Sequence, residues 1–265
     1  MRDAQVQSAG FVLELTPDWL ILRASENVHK FLGEYHSRVI GEPMSDFTLA
    51  QPLHDLRNSL SRLRSSSGIA RCYRVRLIDE PRYFDLAFQL LDSTIVLEGL
   101  PSLENGIGES LGSISRLIGG LDSGNRDAML EGAARRMRAL TGFDRVTLTL
   151  SGGTIDSSRS KYPELSISGE LPAIVADSAC EPVALFPRQS DDRDIEHALL
   201  RSPSAGQLGE LRDSDVRSVL TVPIVRDGET IGTFRCDNRT VRPPSFELHA
   251  AAELFAQVFA MQLPD

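Results

Sequence analysis

Asp227-Gly228 stands between two runs of alternating apolar and polar residues, RSVLTVPIVR before it and ETIGTFRCDN after it. A two-residue Asp-Gly loop favours a turn whose twist matches that of two paired strands. Residues 217–238 are therefore predicted as an antiparallel hairpin, and the rest of this half must pack against it. DRVTLTL at 144–150 reads as a further strand. Before it, Asn125 is placed to cap a helix whose Met129, Ala133, Met137 and Leu140 recur at helical spacing until Gly142. After the hairpin, SFELHAAAELFAQVFAMQL presents Leu248, Ala251, Ala252, Phe255, Val258, Phe259 and Leu263 as one broad apolar face. Residues 151–217 show no regular period.

The first hundred residues have the same character. FVLEL and WLILRAS flank Thr16-Pro17-Asp18, a turn signal, and form a second predicted hairpin. SENVHKFLG is a short helical piece, with Ser25 as its expected N-cap and Gly33 as its C-cap. Leu53, Leu56, Leu60 and Leu63 mark a longer helix. IARCYRVRLI, RYFDLAFQLL and STIVLEGL then read as a three-stranded meander. Residues 102–125 form a boundary rich in Pro, Gly and Ser, wrapped around a helix at 108–119 with Leu111, Ile114, Leu117 and Ile118 on one stripe. The expected fold class is α+β, with two domains, each a central antiparallel sheet with helices. The helices at 108–119, 126–140 and 245–263 are expected to bundle on one face of the second sheet. A homodimer is expected through Leu111, Ile114, Leu117, Met129, Met137, Leu254, Phe255, Val258 and Phe259.

A net charge of −9 over 265 residues opposes contact with nucleic acid or anionic lipid. Arg57, Arg62, Arg64, Arg71, Arg74 and Arg76 are read as a solvated face. The three cysteines, Cys72, Cys180 and Cys236, stand far apart and suggest neither a disulfide framework nor a zinc site. His197, among Asp191, Asp192, Asp194 and Glu196, reads as part of a solvated acidic loop, so no metal is expected. No GxSxG, HExxH, P-loop or dinucleotide fingerprint is present, and no catalysis is expected. The first twenty residues lack the form of a signal peptide and no apolar run suits a membrane span, so a cytoplasmic location is expected.

Four stretches together resemble the chromophore-bearing half of phytochromes. VLELTPDWLILRASENVHKFLG at 12–33 and STIVLEGLP at 93–101 resemble the start and end of a phytochrome PAS domain. LTGFDRVTLTL at 140–150 and the hairpin at 217–238 resemble the GAF domain that follows it. The resemblance implies an N-terminal segment at 1–10, a PAS domain at 11–101, a linker and helix at 102–125 and a GAF domain at 126–265. It also implies a figure-of-eight knot, with Val6-Gln7 passing through a GAF loop within 187–206.

In the family a bilin occupies the GAF pocket. Its propionates need cations, its pyrrole N–H groups need acceptors, and a thiolate forms the covalent bond. The segment MRDAQVQSAG contains no cysteine. The position of the family's pocket histidine is Gln207, preceded by Gly206, and that of the histidine reaching the outer ring is Asn238. The family's Tyr-Pro motif appears as Tyr162-Pro163-Glu164-Leu165-Ser166-Ile167-Ser168, with Ser166 at the aspartate and Ser168 at the second proline. Arg201 matches an arginine that holds a propionate. These departures imply a degenerate pocket at Tyr162, Ser166, Ser168, Arg201, Gln207 and Asn238, with neither biliverdin nor another cofactor expected. The leading expectation is a dimerising regulatory scaffold with a signalling partner or a separate output domain. The alternatives are a small-molecule sensor using a remodelled pocket and a photoreceptor with non-covalent bilin.

Overall fold

The structure is a computed structural model that describes residues 4–62, 68–91, 93–104, 125–158, 167–189, 195 and 197–263. The chain forms two compact units: Met1–Glu104 with Cys180–Ser202 and Pro244–Phe246, and Asn105–Ala179 with Pro203–Pro243 and Glu247–Asp265. The expected helix at 108–119, with Leu111, Ile114 and Leu117, lies outside the described residues, as do Leu63, Tyr162 and Ser166.

The first unit begins with strands β1 (Gln5–Gln7), β2 (Phe11–Leu15) and β3 (Ile21–Ser25). Short helices α1 (His29–Leu32) and α2 (His36–Val39), then α3 (Ala50–Ser61), lead to strands β4 (Ala70–Val75), β5 (Phe84–Leu91) and β6 (Thr94–Pro101). Gly33 ends α1 in the left-handed region, as its C-cap role requires. Ser25 does not cap the helical segment after it. It closes strand β3, and its hydroxyl accepts the Val12 N–H.

One face of this sheet carries the apolar core. Phe11, Leu13, Leu15, Ala24, Phe84, Leu86, Phe88, Ile95 and Leu97 pack there with Leu32, Val39, Met44, Leu53 and Leu56 from the helices. The other face differs from a simple amphipathic sheet, because every residue of β2 is buried. Against it lie strand β10 (Pro182–Phe186), Pro187 and residues 197–200, far along the chain. Strand β10 pairs with β3 on one side and β1 on the other, completing an antiparallel sheet in the order β1-β10-β3-β2-β6-β5-β4.

Beneath that segment the polar residues of the sheet find partners, as buried polar groups must. Arg23 pairs with Glu14 at 2.9 Å and donates to the Pro187 carbonyl. Gln89 donates to the His197 carbonyl. Glu98 accepts the N–H groups of Leu199 and Leu200, at 2.9 and 2.6 Å. Burial pushes the Glu98 carboxyl up to about 7, against the two N–H groups and Arg71, which favour its charge.

Residues 5–7 are bonded on both edges. Gln5, Val6 and Gln7 pair with Ala184, Val183 and Pro182. On the other side Gln7 N–H donates to Leu200 O, Ser202 N–H to Gln5 O, and the Gln7 side chain to Arg201 O. The N-terminal segment thus lies between β10 and residues 200–202.

The second unit opens with α4 (Arg126–Thr141), whose first turn is capped by the Asn125 side chain and whose end is Gly142 in the left-handed region. Strands β7 (Arg145–Leu150), β8 (Gly153–Ser158) and β9 (Ile174–Val175) follow. Helix α5 (Ala205–Asp213) precedes the hairpin β11 (Ser218–Arg226) and β12 (Glu229–Asn238), and α6 (Phe246–Gln262) closes the unit. Asp227 and Gly228 both have positive φ, at 53° and 83°, which is the turn the dipeptide predicts. The sheet order is β8-β7-β12-β11-β9, antiparallel throughout.

Cross-strand register puts Val146, Leu148, Leu220, Val222, Phe234 and Cys236 on one face. Phe234 meets Phe255 and Phe259 edge-on, with centroids 6.0 and 5.4 Å apart. Met129, Met137, Phe255 and Phe259 are buried in this way inside the unit. They do not belong to a free dimer face, since they are what covers the apolar side of the sheet. Leu254 is 42% exposed and Val258 half-buried.

Candidate functional site

The opposite face of the second sheet is polar. Register aligns Val219, Asp237, Arg145 and Ser158 across four strands, and Thr221, Arg235, Thr147 and Asp156 in the next row. These residues lie there because β7 and β12 alternate: Arg145, Thr147 and Thr149 on one, Thr233, Arg235 and Asp237 on the other, with apolar residues between them. Asp237 and Thr147 are nevertheless buried, at 0% and 6% exposure.

Burial without partners distinguishes this face from an ordinary solvated one. Neither carboxylate oxygen of Asp237 has a hydrogen-bond partner, and neither the Thr147 nor the Thr221 hydroxyl has one. Arg235 Nε lies 3.2 Å from Asp237 Oδ1, an ion pair outside hydrogen-bond alignment. Arg145 Nε lies 2.7 Å from Asp156. Burial raises the pKa of Asp237, while the nearby charges of Arg235 and Arg145 pull it down. One carboxylate and two hydroxyls thus lack hydrogen bonds on a face that also carries the Arg235 and Arg145 guanidiniums. Such a set can meet a ligand that carries anionic groups and N–H donors together.

The residues selected from sequence stand elsewhere. Ser168 gives both its N–H and its hydroxyl to Glu210. Gln207 closes a capping box with Ser204 at the start of α5 and donates to the carbonyls of Ser168 and Glu170. Asn238 accepts the Asp144 N–H and donates to Thr240. Arg201 belongs to the first unit, where its backbone bridges to Val6. Of these, Gln207 and Asn238 have their amides engaged elsewhere in the second unit, and Asp237, one residue before Asn238, is the one on the polar face. The alternation of TFRCDN carried that signal, because a strand residue next to buried Cys236 must point the other way. Among the described residues no group of His, Cys, Asp and Glu is arranged to hold a metal ion.

A family model of the GAF domain matches residues 125–263, more than half of the chain, and one of the PAS fold matches residues 2–101. The chain belongs to the GAF domain family. Ahead of its GAF domain stands a PAS domain, and the pair is a bacteriophytochrome-like PAS–GAF module, as the sequence resemblance implied. The module is 23% identical over 287 residues to the bacteriophytochrome of Pseudomonas aeruginosa, and 23% identical over 286 residues to the phytochrome-like protein Cph1 of Synechocystis. It spans 38% of the length of each of these relatives, and each alignment takes in 96% of this chain.

In fold it is similar to the chromophore-binding domain of a bacteriophytochrome from R. palustris, with a TM-score of 0.79 at 24% identity over 97% of this chain and 94% of that one. The chromophore-binding domain of Stigmatella aurantiaca phytochrome P1 gives 0.79 at 21% identity, covering 98% and 96% of the two chains. These findings overturn the expectation of a module without a cofactor. Its relatives are phytochromes and the neighbouring structures are chromophore-binding domains, which favours a bilin over none. The expectation rested on Gln207, Asn238, Ser166 and Ser168 standing where the family has ligand-binding residues. Two of these, Gln207 and Asn238, have their amides engaged in hydrogen bonds of the second unit.

Proposed function

We propose that this PAS–GAF module is a photosensory unit that holds a bilin against the polar face of the GAF sheet. The observation that carries the reading is the set of buried oxygens of Asp237, Thr147 and Thr221 that have no hydrogen bond, beside Arg235 and Arg145. A bilin brings two propionates, which suit guanidiniums, and a row of pyrrole N–H groups, which suit a carboxylate acceptor. When bound, it supplies the light absorption that no side chain of the protein provides. Cys236 projects from the opposite, helix-covered face of the same sheet, so we assign the hold on the bilin to polar contacts rather than to a thioether from Cys236.

The module carries no catalytic step in this reading. It passes its state to a signalling partner or output domain and works as a homodimer in the cytoplasm. Its outer α6 face, with Leu254, Val258 and Met261 one turn apart, is the dimer surface we assign. No helix among the described residues is long and apolar enough to cross a membrane. The bonding of residues 5–7 on both edges supports a kept figure-of-eight thread, which would tie the N-terminal segment into the PAS unit without any chromophore.

The test is to mix the purified protein with biliverdin, pass it over gel filtration, and record the visible spectrum before and after red light. A red band that travels with the protein and is released by acid denaturation is the expected result. A spectrum of free biliverdin only would end the bilin reading.

A further inference from the structure

We propose that Asp237 and Arg235 act as a selectivity pair, giving up their contact with each other to take a ligand that offers a carboxylate and an N–H donor at once. The inference rests on the bilin reading above and says which groups of such a ligand the face recognises.

The argument begins with what the free protein tolerates. Asp237 is wholly buried; its ion pair with Arg235, at 3.2 Å, is outside hydrogen-bond alignment, and Arg145 stands across the strand pair from it. The second guanidinium on the face, Arg145, directs Nε to Asp156 instead. A buried charge held by an imperfect pair is a cost to the fold, because desolvation is repaid only by good geometry and full hydrogen bonding. Two neighbouring hydroxyls, Thr147 and Thr221, are buried without partners in the row that Arg235 occupies. A carboxylate and two hydroxyls on adjacent strands thus lack hydrogen bonds together, beside a guanidinium that is ion-paired but misaligned. Residues that weaken the free fold at a site are the mark of a site built for something else.

The pair also restricts what can bind. A ligand with carboxylates alone would draw Arg235 away and leave Asp237 buried without its counter-charge. A ligand with N–H donors alone would satisfy Asp237 and strand the guanidinium. Only a molecule with both satisfies the two ends of the broken pair, and the Thr147 and Thr221 hydroxyls can serve either kind of group. A linear tetrapyrrole dicarboxylate is such a molecule; its dimethyl ester, which keeps the N–H groups and loses both anions, is not.

Asp237→Asn separates a recognition role from a structural one. Asparagine keeps the size and removes the charge, so the free variant is expected to unfold at higher urea than the parent. The same variant is expected to bind biliverdin about ten- to a hundredfold more weakly, the range for losing a charge-assisted hydrogen bond. The parent protein is expected to prefer biliverdin over the dimethyl ester, and Arg235→Gln to lose that preference. If Asp237→Asn lowers the stability of the free protein, or leaves biliverdin affinity unchanged, or if the parent binds ester and acid equally, the selectivity pair is refuted while bilin binding stands. If the parent does not bind biliverdin at all, the bilin reading falls and this inference with it.

Discussion

Replacing Glu98 by glutamine should change how the stability of the first unit depends on pH. Glu98 is 1% exposed, and each oxygen accepts one backbone N–H, from Leu199 and Leu200. The charged or titratable side chains on the covered face around it are Arg71, Asp85 and the Glu14–Arg23 pair, and His197 is contributed by the covering segment. Burial is the largest influence and lifts the carboxyl from an ordinary 4.5 to about 7. A raised acid binds its proton more tightly folded than unfolded. Its ionisation therefore erodes stability as pH rises from about 4.5, and the loss is complete once pH passes about 7. The gap between those two values corresponds to about 3 kcal/mol.

Glutamine has one acceptor oxygen for two N–H groups, so Glu98→Gln adds a pH-independent cost of roughly 1–3 kcal/mol for the donor left unpaired. Urea unfolding of both proteins at half-unit steps from pH 4.5 to 8 isolates the effect, because every other titration cancels in the difference. The parent should lose up to about 3 kcal/mol relative to the variant across that range. A difference that stays flat, or that moves in favour of the parent as pH rises, would show that the two N–H bonds outweigh burial and would refute the reasoning.

Gly99 faces the Phe11 ring across the β2–β6 ladder, and a Cβ there would collide with Phe11 Cε1 and Cζ. Gly99→Ala should destabilise the protein by roughly 1–3 kcal/mol, the usual cost of overpacking, and a thermal midpoint unchanged within a degree or so would contradict that. Leu254→Glu should leave the fold within about 0.5 kcal/mol of the parent, because the side chain is 42% exposed, yet shift the sedimentation profile from dimer to monomer. An unaltered dimer would move the assigned interface off α6.

The elements themselves were legible because each rests on local chemistry. Asp227-Gly228 specified its turn, Asn125 and Gly142 bounded α4, and Gly33 ended α1, since each residue satisfies its own backbone or supplies a left-handed φ without distant help. Leu53 and Leu56 found the core at the spacing that predicted them. The candidate site was only half legible. Alternation marked Arg145, Thr147, Arg235 and Asp237 as one face, but a polar strand face ordinarily meets water, and nothing local reports that this one is buried. Matching positions to a family motif instead selected Gln207 and Asn238, whose side chains serve a helix cap and a strand end.

Sequence alone therefore determined two α+β blocks, their hairpins, most helix limits and the PAS–GAF resemblance. Tertiary structure decided what covers each sheet. Strand β10 and residues 187 and 197–200 lie between β9 and β11 of the GAF sheet in the chain, yet they complete the PAS sheet and meet the polar side chains of Arg23, Gln89 and Glu98. It also turned Met129, Met137, Phe255 and Phe259 from a supposed interface into core. The physical reason is the same in both cases. A residue's pattern says which way it points, set by two- and 3.6-residue periods. Whether it points at water, at protein or at a ligand depends on what the rest of the chain brings against it: a segment a hundred residues on for Glu98, a helix some twenty residues on for Phe234.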